Sequence, residues 1–206
     1  DPAALLAAPE DAETLHRLAL MAGIGLGMPH DPSLALERLR RAAALGHDLA
    51  ARSLAIIEAE PGGFEAWFRP APARPVSQRP HVLVAEDFVS YAVCDWLIER
   101  ARPGLASARI YDEGSGEGRV DPVRTNTACA FDLSDTDMVL VLVREKLARL
   151  AGLPVAGLEA SQVLHYRPGQ KFDWHVDYLD SGSPGHQGDL SIRGQRIATA
   201  LIRLND

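Results

Sequence analysis

The chain has 206 residues, of which 47% are hydrophobic and 24% charged, the balance of an ordinary globular protein with room for one large domain or two small ones. Its net charge of −7 argues against general nucleic-acid binding, which needs a basic surface and here could only be a local groove. No apolar run approaches a membrane span and no signal-peptide pattern opens the chain, so neither nucleic acid nor membrane is expected as a partner.

The first residue is Asp1 rather than Met, so the native N-terminus is expected to have been lost. Residues 11–60 are rich in Ala and Leu and predict helices. Leu15, Leu18, Ala19 and Ala22 fall at helical spacing. After Gly23-Ile-Gly25-Leu-Gly27 comes Asp31-Pro32, an N-cap followed by proline at the first helical position. The next helix carries Ala35, Leu36, Leu39 and Ala43 on one face, and Gly46 suits a left-handed terminus. A third helix is expected from about Asp48. Its Leu54-Ala55 echoes Leu18-Ala19 after 36 residues, a period typical of stacked helix pairs. The pattern L-x-x-L-A, G-x-G, D-P, A-L-x-x-L-x-x-A-A-x-x-G-H resembles a Sel1-like repeat, a relative of the tetratricopeptide repeat, with about one and a half repeats present. Two readings stay open: a small helical cap on the following domain, or a platform for a protein partner. His16, His30 and His47 are expected to be surface or packing residues.

Pro61, Gly62, Gly63, Pro70, Pro72, Pro75 and Pro80 predict an extended, fairly stiff linker over 61–80, with Trp67 and Phe68 docked on a domain. The expected domains are therefore 1–60, a helical repeat module, and 81–206, a second domain. That domain opens with a strand at His81–Val84. A helix follows from about Ser90, with Cys94, Leu97, Ile98 and Ala101 on one face, stopped by Pro103-Gly104. Cys94 and Cys129 are the only cysteines; without metal-like spacing they are expected to be reduced core residues, which points to the cytoplasm. Ala108–Tyr111 predicts a strand, and 112–120 a loop that is either a substrate cover or a plain hairpin tip. Ser134, with Asp137 three residues on, predicts a capped helix whose stripe is Val139, Leu142, Val143, Leu147 and Leu150, closed by Gly152 and Pro154. Both helices are expected to cover the outer face of a sheet. Strands are then expected at Glu159–Tyr166, Lys171–Asp177 and Gln195–Leu204, with a Gly/Ser/Pro-rich loop at Ser181–Gly188. Helices followed by antiparallel strands fit an α+β arrangement with a double-sheet jelly roll.

The chemistry concentrates in Gln162–Asp177, QVLHYRPGQKFDWHVD. In a strand, residues two apart share a face, so His175 and Asp177 would stand side by side, spaced to share one metal ion. A histidine, a carboxylate and a distant second histidine with open positions opposite is the arrangement that holds non-haem Fe(II) in oxygenases. Alone, H-x-D is weak evidence. Its surroundings, from Glu159 through Tyr166, Gly169 and Phe172 to Gly194-Gln195-Arg196-x-Ala198-Thr199 and Leu204-Asn205-Asp206, resemble the catalytic domain of the prolyl 4-hydroxylase-like Fe(II)/2-oxoglutarate-dependent dioxygenases over about 125 residues. Val123-Arg124-Thr125-Asn126 and the helix near Ser134 extend the likeness.

The resemblance implies a double-stranded β-helix and hydroxylation of an unactivated C–H, coupled to decarboxylation of 2-oxoglutarate to succinate. It implies Fe(II), 2-oxoglutarate and ascorbate as cofactors and a proline-containing peptide or protein as substrate. A free amino acid or other small molecule is the alternative substrate; a non-catalytic repeat protein with a degenerate oxygenase domain is the alternative class. His175 and Asp177 match the first two metal ligands, and Tyr166 a residue that binds 2-oxoglutarate. Thr199 shares a face of the last expected strand with Leu201 and Arg203 and is expected, with Tyr166, to bind the 2-oxoglutarate cofactor. Glu159 and Arg196 match positions tied to peptide binding, or form an ordinary ion pair. Arg203 stands where the family usually has tyrosine and is expected to hold the far carboxylate of 2-oxoglutarate, or to reach solvent or a structural acid. The distal histidine ligand and the Lys or Arg after it have no match. His186, the one histidine after Asp177, sits in the loop, so the catalytic domain is expected to be incomplete and this form of it inactive.

Overall fold

The computed structural model describes residues 2–111 and 118–205 and shows a mixed α+β protein. By backbone contacts it divides into two compact units, Asp1–Trp96 with Leu133–Leu158, and Leu97–Asp132 with Glu159–Asp206.

The first unit is mainly helical: α1 (Pro2–Leu6), α2 (Ala12–Ile24), α3 (Pro32–Ala44), α4 (Asp48–Ala59), the start of α5 (Tyr91–Ala101), and α6 (Met138–Ala151). Helices α2, α3 and α4 begin on side-chain caps, which satisfy amide groups that the first turn leaves unpaired. Asp11 accepts from the Thr14 amide at 2.8 Å, Asp31 from that of Leu34 at 2.9 Å with Pro32 following it, and His47 Nδ1 from that of Ala50 at 3.1 Å. Leu15, Ala19, Ala22, Ala35, Leu39 and Ile57 are fully buried. Helix α2 packs on α3 and on α6, and α4 packs on both α3 and α6. A Cβ on Gly23 would lie 3.2 Å from Met138 Sδ and Val141 Cγ1, which shows how closely α2 approaches α6.

Helix α6 departs from expectation in two ways. Its cap is Asp137 rather than Ser134: Asp137 Oδ1 accepts from the Leu140 amide at 3.0 Å and Oδ2 from Trp96 Nε1 at 3.1 Å. It packs on α2 and α4. All six residues from Met138 to Val143 are buried, the pattern of a helix enclosed on several sides and not of one carrying a single stripe.

The stretch 61–80 is more structured than a linker. A 3-10 turn at Phe64–Phe68 buries Trp67 completely, its Nε1 donating to the Ile57 carbonyl at 3.4 Å. Strand β1 (Arg74–Gln78) then pairs antiparallel with β2 (His81–Val84). Proline at position 75 is compatible with such a strand because a two-stranded ribbon consists only of edges.

In the second unit β3 (Ala106–Ser107), β6 (Thr127–Ala130) and β7 (Gln162–His165) form a three-stranded antiparallel sheet in the order β3-β6-β7, with Ala106 opposite Ala128 and Cys129 opposite Val163. A Cβ on Gly104 would meet Cys129 Sγ at 2.7 Å, so any larger residue there would have to displace the Cys129 side chain. Strands β4 (Ile110–Tyr111) and β5 (Gly118–Arg119) form a separate ribbon. Most of the expected 112–120 loop, residues 112–117, lies outside the described residues. Cys94 and Cys129 are buried and form no disulfide.

Among the described residues the sheets are small, and two expected strands are not formed. Lys171–Asp177 makes one isolated bridge, Phe172 to Arg124, and 195–205 has no strand assignment. A strand exists through a continued ladder, and among the described residues the pairing of 171–177 stops at that single bridge beside Arg124. The Ser181–Gly188 region contains a 3-10 turn at Pro184–His186 that runs into α7 (Gln187–Arg193). No helix of the described residues is long and apolar enough to cross a membrane.

Candidate metal centre

The segment carrying His175 is anchored beside residues 123–127. The Asp173 amide donates to the Val123 carbonyl at 2.8 Å and the Thr125 amide to the Lys171 carbonyl at 2.9 Å. The Thr125 hydroxyl accepts from the Lys171 amide at 2.9 Å, and Gln170 donates to the Thr125 carbonyl. Beyond this anchor, His175 Nε2 lies 3.4 Å from Asp177 Oδ1. The pair meets without strand geometry, so the expected juxtaposition is present while its expected cause is not.

Hydrogen bonding orients both groups. His175 Nδ1 is 2.8 Å from the Asp173 carbonyl oxygen. A carbonyl only accepts, so Nδ1 carries the proton, and in the neutral ring the lone pair is on Nε2. That lone pair faces a carboxylate oxygen, an arrangement that is repulsive unless a proton or metal cation lies between them. The other oxygen, Asp177 Oδ2, accepts from the Thr199 hydroxyl at 2.5 Å. One oxygen is thus tethered and the other turned toward the imidazole. Backbone carbonyls and hydroxyls that orient metal-binding side chains in this way are a regular feature of metal sites.

The neighbouring expected residues divide into those joined to this pair and those that are not. Arg196 forms a two-pronged ion pair with Glu159, at 2.7 and 3.0 Å, and its Nη1 donates to the Asp177 carbonyl at 3.3 Å. The Gln195 side chain receives the Leu179 amide at 2.7 Å and donates to the Leu179 carbonyl at 2.8 Å, replacing a strand's backbone pairing with an amide side chain. Tyr166 is 43% exposed, one residue beyond β7. Arg203 is exposed and donates from Nε to the Asn205 carbonyl at 3.3 Å. His186 Nδ1 lies 3.2 Å from the Asp180 carbonyl. Among the described residues no third His, Cys, Asp or Glu joins His175 and Asp177 in a metal-sized cluster. The pair is open, each side chain being 43% exposed, and Trp174, Val176 and Tyr178 beside it are exposed as well.

A second cluster escaped the sequence reading. Glu13, His16 and His47 bring one donor atom each to within 4.8 Å of the others. Glu13 and His16 are three apart on α2, a spacing that places side chains on one face and that could have been noticed. His47 is distant in sequence and joins them only through the packing of the helices.

No family model matches the chain. It is 32% identical over 155 residues to Probable prolyl 4-hydroxylase 7 of Arabidopsis thaliana, covering 75% of this chain and 47% of that protein. Over 137 residues it is 33% identical to Prolyl 4-hydroxylase 2 of the same plant, covering 66% and 44%. With Probable prolyl 4-hydroxylase 6 the figures are 33% over 155 residues, 75% and 52%. The chain spans about half the length of the curated relatives it matches, and its likeness to them supports a prolyl 4-hydroxylase-like family.

Proposed function

We propose that the chain is the His-Asp portion of an Fe(II)- and 2-oxoglutarate-dependent dioxygenase acting on peptidyl proline. One observation carries the reading: an imidazole Nε2 and a carboxylate oxygen lie 3.4 Å apart, each side chain held from behind by a hydrogen bond. A nitrogen and an oxygen donor suit Fe(II), and they supply two of the three ligands of a two-histidine, one-carboxylate site. The relatives named prolyl 4-hydroxylases support the same chemistry.

In this reading His175 Nε2 and Asp177 Oδ1 hold the metal, which when bound supplies the oxidising chemistry for C–H hydroxylation with 2-oxoglutarate and dioxygen. The Asp173 carbonyl keeps the imidazole proton on Nδ1, and Thr199 keeps Asp177 turned. Tyr166 and Arg203 are the side chains for 2-oxoglutarate, Arg203 through a guanidinium–carboxylate pair. Thr199 serves the cofactor site through Asp177. Glu159 and Arg196 border the peptide, and the Arg196 bond to the Asp177 carbonyl links that border to the metal ligand. The fold proposed around them is a double-stranded β-helix, with the N-terminal helices as a Sel1-like module for a protein partner. Ascorbate is a further proposed cofactor, and the cytoplasm the proposed location.

The test is succinate release from 2-oxoglutarate with a proline-containing peptide. It compares the 206-residue chain with a longer form that adds a distal histidine. Two ligands give a weak site, so the 206-residue form is expected to be inactive and the longer form active, with His175→Ala and Asp177→Ala abolishing turnover. Equal turnover from both forms shows that the third ligand is misidentified, and full activity in His175→Ala sinks the reading.

A further inference from the structure

The Glu13–His16–His47 cluster lies in the helical unit and has a feature that packing alone does not account for. His16 is 6% exposed, and its Nε2 is buried without a hydrogen-bond partner, a state that costs free energy and is rare in folded proteins. Burial, the largest cause, with His47 beside it, pushes its pKa down to about 4, so at neutral pH the ring is uncharged and has a lone pair to give. The His47 ring lies against it, centroids 4.1 Å apart and planes tilted by 30°. His47 Nε2 is 3.1 Å from Glu13 Oε2, and Glu13 also accepts from Arg17 Nε at 2.5 Å. Two imidazoles and one carboxylate, one of them buried and unsatisfied, are a ligand set for a borderline divalent cation such as Zn(II).

We propose that Glu13, His16 and His47 form a second metal site, for a Zn(II)-like cation, independent of the His175–Asp177 pair. Without metal, His47 Nδ1 accepts from the Ala50 amide at 3.1 Å. The proton of the neutral ring is therefore on Nε2, directed at Glu13. Coordination through Nε2 moves that proton to Nδ1, so the Ala50 amide loses its acceptor and the tilted rings must open around the ion. Metal binding and the α4 cap therefore compete, which limits the site to moderate affinity and makes His47 the residue where the two functions can be separated. Asparagine there keeps a capping oxygen but removes the imidazole ligand.

The experiment titrates the 206-residue chain with Zn(II) by calorimetry and with Co(II) by visible absorption. The protein carries His175→Ala and Asp177→Ala, so that the other pair contributes nothing. One equivalent is expected to bind, with the absorption of a nitrogen- and oxygen-ligated Co(II). Since loss of outer-shell partners alone costs about 10–100-fold in metal affinity, His47→Asn and His16→Leu are each expected to weaken binding by at least about tenfold, and Glu13→Gln to weaken it too. Thermal unfolding of His47→Asn without metal reports that the cap is kept. Should His16→Leu fail to fold, His47→Asn carries the test. No binding at millimolar Zn(II), or one-equivalent binding unchanged in His47→Asn, overturns the proposal.

Discussion

Phe172 lies almost flat against His175, ring centroids 3.6 Å apart and planes inclined by 20°. The Arg124 guanidinium lies 4.7 Å from the centre of the Phe172 ring and is itself held, its Nη1 donating to the Arg109 carbonyl at 3.0 Å and its Nε to Asn126 Oδ1 at 3.2 Å. A cation, a phenyl ring and an imidazole thus form one stack. Because His175 is otherwise exposed, this stack and the Asp173 carbonyl are what orient its Nε2.

The first prediction removes the middle of that stack. Phe172→Leu keeps an apolar side chain but loses the ring contact, which is worth about 0.5–1.5 kcal/mol beyond burial. Metal affinity at His175 and Asp177 is expected to fall by roughly two- to tenfold, read by Co(II) titration of a form carrying His47→Asn. Unchanged affinity would show that the Asp173 hydrogen bond alone sets the imidazole.

The second concerns acid stability. The pKa of His16 is lowered to about 4, first by burial and then by His47, with Arg17 in the same direction and Glu13 and Asp137 opposing. The unfolded ring titrates near its ordinary 6.5. Between these values the unfolded chain binds the extra proton and the folded chain does not, so stability rises with pH. The contribution is fully present above 6.5 and lost as pH falls toward 4, up to about 3 kcal/mol. Urea unfolding in the presence of a chelator should show this loss in the parent and a flatter profile in His16→Leu. Parallel profiles would place the acid sensitivity elsewhere.

How far the sequence disclosed these features depends on whether their causes are local. The helices over 12–59 were legible because Asp31-Pro32 and the Leu/Ala spacing act within one or two turns, while the Asp11 cap emerged only in the fold. The His175–Asp177 pair was legible from its spacing, although the chain there is not a strand. What was not legible arises between distant segments. Asp137, expected inside the first turn of a helix opened by Ser134, serves as the cap itself because the Leu140 amide and Trp96 take its two oxygens, and Trp96 is distant in sequence. The assignment of α6 to the helical unit, and of Thr199 to Asp177, likewise needed the folded chain.

The third prediction tests the buried charge in the helical unit. Lys146 and Glu60 are 8% and 5% exposed, with Nζ 3.8 Å from Glu60 Oε1. The ammonium group is also 5.7 Å from the centre of Trp67 and 5.4 Å from that of Phe88. Lys146→Met leaves the Glu60 carboxylate with the Ser90 amide, 3.3 Å from both of its oxygens, but no cation. Loss of one partner of a buried pair costs about 3–5 kcal/mol, and that loss should be visible in urea unfolding. Adding Glu60→Gln removes the stranded charge and should restore most of it. If the double variant is no better than Lys146→Met, the lysine acts through packing over the two rings and not through its charge.

The last prediction concerns the tether on Asp177. The Thr199 hydroxyl donates to Oδ2 at 2.5 Å while Oδ1 faces His175, so Thr199 determines which oxygen is presented to a metal. Thr199→Val is close in shape and removes only the donor. A hydrogen bond to a charged acceptor contributes about 1.5–3 kcal/mol, but Thr199 is exposed and water replaces part of that. The expected loss of metal affinity is therefore roughly three- to tenfold, and Thr199→Ser, which keeps the hydroxyl, should recover most of it. A loss of 2-oxoglutarate affinity in Thr199→Val with metal affinity intact would instead assign the hydroxyl to the co-substrate. The two titrations, Co(II) alone and 2-oxoglutarate at saturating metal in a form that binds it, separate the roles. If neither affinity moves, the short contact to Asp177 has no part in binding at this site.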